Sequence, residues 1–185
     1  LSFEVDWSKI GIAYGGAQKN LGPAGMAVVI IRDDILAKHN KALPAYLRYD
    51  LHVDNNSMYN TPPMFQIYMM KLTLDWVKAQ GGLKAMDKLA NERAGILYGA
   101  IDANNGYYRC PVAKEDRSRM NVVFRLPTEE LEALFIAEAK KRGMSELKGH
   151  RSVGGCRASL YNAMPVAGVQ ALADFMVEFM KAHPV

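Results

Sequence analysis

The chain has 185 residues, half of them hydrophobic and 23% charged, a composition that suits a folded globular protein and excludes a disordered or low-complexity one. Lys and Arg outnumber Asp and Glu by 23 to 19, a formal charge of +4 with no basic tail or stripe, which suits anionic small molecules at least as well as nucleic acid. Cys110 and Cys156 are far apart and show no ligand spacing, so neither a zinc site nor a disulfide framework is indicated, and no metal is expected.

The length fits one generous domain or two small ones. No run approaches the roughly 18 apolar residues of a membrane span, and no charged segment followed by an apolar signal core opens the chain. A soluble, cytoplasmic protein is expected. Because the sequence starts at Leu1 without Met and enters a strand-like segment almost at once, it reads as part of a longer chain.

Residues 10–14 (IGIAY) and 26–31 (MAVVII) are short β-branched runs without the polar positions of a solvated face, so they predict buried, neighbouring strands. Between them lies GGAQKNLGPAG, whose glycines permit turns closed to other residues. Lys19 sits in that turn. Held by backbone between strands and near desolvating walls, its amine could act as a nucleophile towards carbonyls, although a plain surface lysine fits the local sequence as well. The GxxxxGK[ST] spacing of a phosphate-binding loop is absent.

Asp33 and Asp34 predict the start of a short helix, and residues 41–57 predict a long ordered loop. At residues 59–63 (YNTPP), Thr61 is placed to cap a helix and Pro62 to occupy its first position. That helix should run to about Gln80. Asn60 and Thr61, at a helix N-terminus, could meet a phosphate or simply cap the helix.

Gly81 and Gly82 break the pattern and mark the expected domain boundary, with one domain over residues 1–81 and the other over 82–185. A second helix is expected over 83–101. Beyond it the pattern is strand, helix, strand, helix: Met120, Val122, Phe124 and Leu126 alternate, and Thr128 with Glu129 and Glu130 opens a helix over 131–142. The last helix, residues 166–183, aligns Val169, Leu172, Met176 and Phe179. A small α+β domain results.

Residues 149–159 (GHRSVGGCRAS) place His150, Arg151 and Arg157 around a glycine pair. Arginine gives bidentate bonds to carboxylate or phosphate, and glycine lets backbone approach a ligand closely. An anion site is one reading and a solvated basic loop the other. Arg117 and Arg119, at a strand start, read as solvated. His39, His52 and His183 have no partners at metal or triad spacing, and no GxSxG occurs.

GGAQKNLGPAG, SMYNTPP at residues 57–63 and GHRSVGGCRASLYNA at 149–163 occur in the order and spacing of the phosphoserine aminotransferases, which this chain strongly resembles. The resemblance implies a fold-type I, aspartate-aminotransferase-like α/β enzyme that uses pyridoxal 5'-phosphate and works as a homodimer with shared active sites. Residues 1–81 would then be the last part of the large cofactor domain and 82–185 the small domain.

By the same resemblance, Lys19 matches the Schiff-base lysine and proton shuttle, Gln18 a cofactor-phosphate contact, and Asn60 with Thr61 the pair reaching the neighbouring subunit's cofactor phosphate. Arg157 matches the residue gripping the substrate α-carboxylate, and His150 and Arg151 those binding the substrate phosphate. The implied reaction converts 3-phosphohydroxypyruvate and glutamate to phosphoserine and 2-oxoglutarate, in serine and also pyridoxine biosynthesis. Family members are about twice as long, so the absent half would carry the aspartate facing the pyridinium nitrogen. The alternatives are a non-catalytic anion-binding or dimerisation fragment and another fold-type I aminotransferase. Against the latter stands the second arginine of the GHR motif, which a substrate without phosphate would not need.

Overall fold

In the computed structural model, which describes residues 2–185, the two apolar runs pair as expected. Strand β1 (Ile12–Gly16) and β2 (Ala27–Ile31) form an antiparallel hairpin, with Ile12 opposite Ile31 and Gly16 opposite Ala27. The pairing holds and the expected burial does not, since Ile12, Tyr14 and Ile30 all lie exposed, Tyr14 at 83%. Two paired strands have two faces to cover, and within this chain the cover is incomplete.

Helix α1 (Asp33–Leu36) begins on the two aspartates. The segment read as a loop instead contains a 3-10 turn (Ala45–Leu47) and a short helix, α2 (Tyr49–Asp54). Arg48 clips Asp50 through two hydrogen bonds of 2.6 and 3.2 Å at the start of α2. That pair holds the Asp50 carboxyl down at about 2.

Helix α3 (Met64–Ala79) starts later than the sequence suggests, with Pro63 at its N-cap and no side-chain cap. The reason lies in the two prolines. A capping Thr61 would need an N–H two or three residues on, but Pro63 has none, and the Met64 N–H already donates to the Pro62 carbonyl at 2.8 Å. No residue of α3 is fully buried, and Met64, Phe65, Ile67, Tyr68, Leu72 and Trp76 are exposed.

The chain divides into two compact units, Phe3–Leu83 and Lys84–Val185, with Ser2 grouped in the second. Helix α4 (Gly82–Asp102) opens at the glycine pair and supplies Met86, Ala90, Ala94, Leu97 and Ile101 to the core of the second unit. Strand β3 (Asn121–Phe124), helix α5 (Glu129–Lys141), strand β4 (Cys156–Ser159) and helix α6 (Val166–Ala182) follow in the expected order. The Thr128 hydroxyl accepts from the Leu131 N–H at 3.2 Å, capping α5.

Strands β3 and β4 pair antiparallel, Phe124 opposite Cys156 and Val123 opposite Arg157. Single bridges extend the sheet on both sides, Arg109 to Arg125 and Lys148 to Cys156. The register sends Val122, Phe124, Cys156 and Ala158 to the core and leaves Asn121, Val123, Arg157 and Ser159 on the other, half-exposed face.

Phe135 of α5 sits at the centre of that core, with the rings of Tyr108, Phe124, Phe175 and Phe179 at centroid distances of 6.0, 5.7, 4.9 and 5.1 Å. The expected stripe of α6, Val169, Leu172, Met176 and Phe179, is buried against them. Tyr108 donates its hydroxyl to the Met176 carbonyl at 2.9 Å, and burial pushes that phenol well up. Both cysteines are free, and burial pushes the Cys156 thiol up to about 12, which leaves it unreactive.

Arg93 is the one fully buried cation among the described residues. Its Nη1 donates to the carbonyls of Tyr161, Asn162 and Met164 at 3.0, 3.0 and 2.6 Å, tying α4 to the turn before α6. Burial lowers its pKa. No helix among the described residues is long and apolar enough to cross a membrane.

Candidate functional site

Lys19 lies on the segment that joins β1 to β2, and its placement depends on Ala17. That residue is fully buried, its N–H donates to the Met26 carbonyl at 3.0 Å, and its own carbonyl accepts from the Lys19 and Gly22 N–H groups at 2.7 and 2.8 Å. One buried alanine thus fixes the turn that carries the amine. Lys19 and Gln18 are both exposed, so the desolvating walls expected around the amine are not supplied by the described residues. Gln18 folds back over the strand end, where a Cβ on Gly16 would run into its Oε1.

The same turn packs on α3. A Cβ at Gly22 would touch the Met70 backbone at 3.4 Å, and one at Gly25 would crowd the Gln66 amide at 3.1 Å. Asn60 and Thr61 are exposed on the extended stretch leading into that helix, and Asn60 Nδ2 donates to the Thr61 carbonyl at 3.3 Å. Within the first unit, therefore, an amine, two amides and a hydroxyl are held on a turn and on the approach to the helix it packs against.

In the second unit, His150 and Arg151 stand on a tight loop at the start of β4. The His150 carbonyl accepts from the Val153 and Gly154 N–H groups at 2.9 and 2.8 Å, and the Gly149 N–H donates to the Gly155 carbonyl at 2.8 Å. Glycine is obligatory at 149, because a Cβ there would overlap the Gly154 carbonyl oxygen. The Ser152 N–H donates to His150 Nδ1 at 3.3 Å, and the Ser152 hydroxyl lies 2.7 Å from the same atom. A backbone N–H can only donate, so Nδ1 accepts from Ser152 and Nε2 is the ring nitrogen that Ser152 leaves unengaged.

Arg157 is fixed within β4, its N–H donating to the Leu147 carbonyl at 2.8 Å. Its Nε is buried, and no described residue accepts a hydrogen bond from it. A buried guanidinium N–H without an acceptor is a costly arrangement that a bound carboxylate would relieve.

Arg117 and Arg119, read as solvated, are in fact paired. Arg117 grips both Asp102 oxygens at 2.7 and 2.9 Å and lies over the Tyr98 ring, while Arg119 reaches Asp87 and Asn91 at 2.5 and 2.8 Å. Among the described residues no group of three or more His, Cys, Asp or Glu side chains could hold a metal ion.

No motif in the sequence marks Arg125 or Glu132, yet Arg125 lies against the loop of His150 and Glu132 against Arg125. Arg125 Nη2 donates to the Val153 carbonyl, and Nη1 lies 3.4 Å from a Glu132 carboxylate oxygen. The available signal was a cation at the end of the alternating run MNVVFRL and an acid on the inward face of α5.

Residues 1–172 match the family model described as Aminotransferase class-V. The phosphoserine aminotransferase of Lysinibacillus sphaericus is 53% identical over 183 residues, which are 99% of this chain and 51% of that protein. Among solved structures, the phosphoserine aminotransferase of Bacillus circulans subsp. alkalophilus superposes with a TM-score of 0.94 at 48% identity, over 98% of this chain and 50% of that one. A pyridoxal-phosphate-bound phosphoserine aminotransferase from Trichomonas vaginalis gives a TM-score of 0.90 at 43% identity, over 96% and 51%. This chain spans about half the length of the curated relatives it matches.

Proposed function

The chain belongs to the class-V aminotransferase family, and on that premise we propose that the protein it forms part of is a cytoplasmic phosphoserine aminotransferase, transferring the amino group of glutamate to 3-phosphohydroxypyruvate. The observation that supports this reading best is the strand-held Arg157, whose buried Nε has no acceptor among the described residues, in a chain that also carries a turn-held Lys19 and the cationic loop of His150 and Arg151. Two separated anionic ends on a substrate call for two cationic groups. Residues 1–81 would contribute the C-terminal part of a large cofactor domain, and residues 82–185 the small domain.

The donor set of the first unit fits pyridoxal 5'-phosphate: an amine to bond its aldehyde, and the Gln18 and Asn60 amides with the Thr61 hydroxyl to hold its phosphate. The Gly16 position, where a side chain would displace Gln18, supports that fit. When bound, this cofactor withdraws electrons from the substrate Cα and so makes its proton removable. Lys19 Nζ would hold the cofactor by bonding its aldehyde and, once displaced by the substrate's amino group, would serve as the base that takes the Cα proton and gives it back. Arg157 fixes the α-carboxylate, while His150 Nε2 and Arg151 take the substrate phosphate. Asn60 and Thr61 would serve a neighbouring subunit in a homodimer, a reading supported by the exposed apolar residues of α3 beside them.

In the full-length protein supplied with pyridoxal phosphate, glutamate-dependent formation of phosphoserine should be readily measured, and Lys19→Ala should abolish it. Equal kcat/KM for hydroxypyruvate with and without its phosphate would overturn the assignment in favour of another class-V aminotransferase.

A further inference from the structure

Arg125 follows β3 directly and is held by a reciprocal backbone pair with Arg109, at 2.8 and 3.0 Å. Its guanidinium reaches back to the loop of His150. Nη2 donates to the Val153 carbonyl, and Nη1 lies 3.4 and 3.5 Å from the two oxygens of Glu132, which is only 8% exposed. The loop makes room for this side chain. Gly154 and Gly155 both have left-handed backbones, with φ of +73° and +69°. A Cβ would lie 3.0 Å from Arg125 Nη1 at Gly154, and 2.7 Å from Arg125 Cδ at Gly155.

The glycine pair therefore serves two needs at once, the turn and the seat of the guanidinium. Because the N–H of Gly154, which shares its peptide group with the Val153 carbonyl, donates to the His150 carbonyl at 2.8 Å, fixing that peptide fixes the turn that presents His150 and Arg151. Glu132 occupies the guanidinium edge that would otherwise compete for an anion.

We propose that Arg125, oriented by Glu132, is a positioning residue for the phosphate end of the substrate, acting through the Val153 carbonyl on His150 and Arg151. This deepens the function proposed above and rests on it. It predicts specificity without contact with the substrate.

The test is made on full-length protein with Arg125→Ala and Arg125→Lys. Arg125→Ala should raise KM for the phosphorylated substrate roughly tenfold, with KM for glutamate and kcat changing less than about twofold, and Arg125→Lys, which can still donate to the carbonyl, should recover most of the loss. Hydrogen exchange at the amides of Gly149, Val153 and Gly154 should speed up about tenfold in Arg125→Ala, while exchange in α5 and α6 stays unchanged. Unchanged exchange in the loop overturns the brace whatever the kinetics show. A loosened loop with equal losses for both substrates, or with none, overturns its role in phosphate affinity. If the unsubstituted protein does not distinguish phosphorylated substrates at all, the function proposed above fails, and the exchange data alone decide the brace.

Discussion

Phe135 in the second unit is buried among four aromatic rings, whereas Phe65 and Tyr68 on α3 of the first unit are 61% and 54% exposed. Both units are rich in large apolar residues, and they use them differently. The second closes β3, β4, α4, α5 and α6 over one core. The first holds its hairpin, its lysine turn and its helix with Ala17 as its one fully buried apolar side chain among the described residues. Apolar content thus marks where surface must be covered, and only the structure tells whether the chain covers it itself. The residues proposed for catalysis and cofactor binding lie in the less covered unit, and those proposed to grip the substrate lie in the closed one.

The contrast is sharpest in stability. In this 185-residue chain, Phe135→Ala should cost about 3–5 kcal/mol through lost burial and the cavity left behind. Phe65→Ala should change stability by less than about 0.5 kcal/mol. Urea unfolding of the two variants checks this, and comparable losses would show that α3 is covered in solution by something other than the contacts described here.

A smaller effect should separate the two groups proposed to bind anions in the second unit. In the full-length protein Arg157→Ala should weaken glutamate and phosphoserine alike, by roughly 1.5–3 kcal/mol for a charged hydrogen bond. Arg151→Ala should weaken only phosphoserine, by a similar amount. Steady-state kinetics with both substrates would break the division if all losses proved equal.

Much of the second unit was legible because its signals are local. The stripe of α6 repeats at helical spacing, and Thr128 caps α5 through an N–H three residues away. The alternation of Val122, Phe124 and Leu126 fixes which face of β3 is buried.

In the first unit the same signals place the hairpin and α1, and they miss α2, the start of α3 and the surroundings of the strands. Residues 10–14 and 26–31 carry no mark of an open face, yet Tyr14 and Ile30 are exposed, because cover is a property of what lies beyond the strands. The short α2 has too few residues to show a period, and the start of α3 moved because Pro63 cannot receive a cap.

The candidate site was legible as motifs, since glycine pairs and cations in loops show in the sequence. The brace from Arg125 and Glu132 was not, because it joins two elements through a backbone carbonyl that no pattern announces.

The smallest expected effect is acidic. Hydrogen bonds from Arg48 hold the Asp50 carboxyl down at about 2, below its ordinary value of 3.8. A depressed carboxylate contributes stability that is present above the unfolded pKa and lost as pH falls towards the folded one. The pairing at α2 should therefore weaken between about pH 4 and pH 2. Asp50→Asn should flatten that part of the acid titration in the first unit, read by exchange at the amides of α2, and leave the second unit's profile unchanged. An identical acid profile in the variant would remove Arg48 and Asp50 from the account.

If the less covered unit carries the nucleophile, Lys19 can be trapped on the cofactor it bonds. Full-length protein incubated with pyridoxal 5'-phosphate, reduced with borohydride and digested, should yield the reduced cofactor covalently attached to one peptide, with fragmentation placing it on Lys19. The Lys19→Ala variant should yield none. Attachment to another lysine, or equal attachment to many, would contradict the assignment of Lys19 and with it the proposed chemistry.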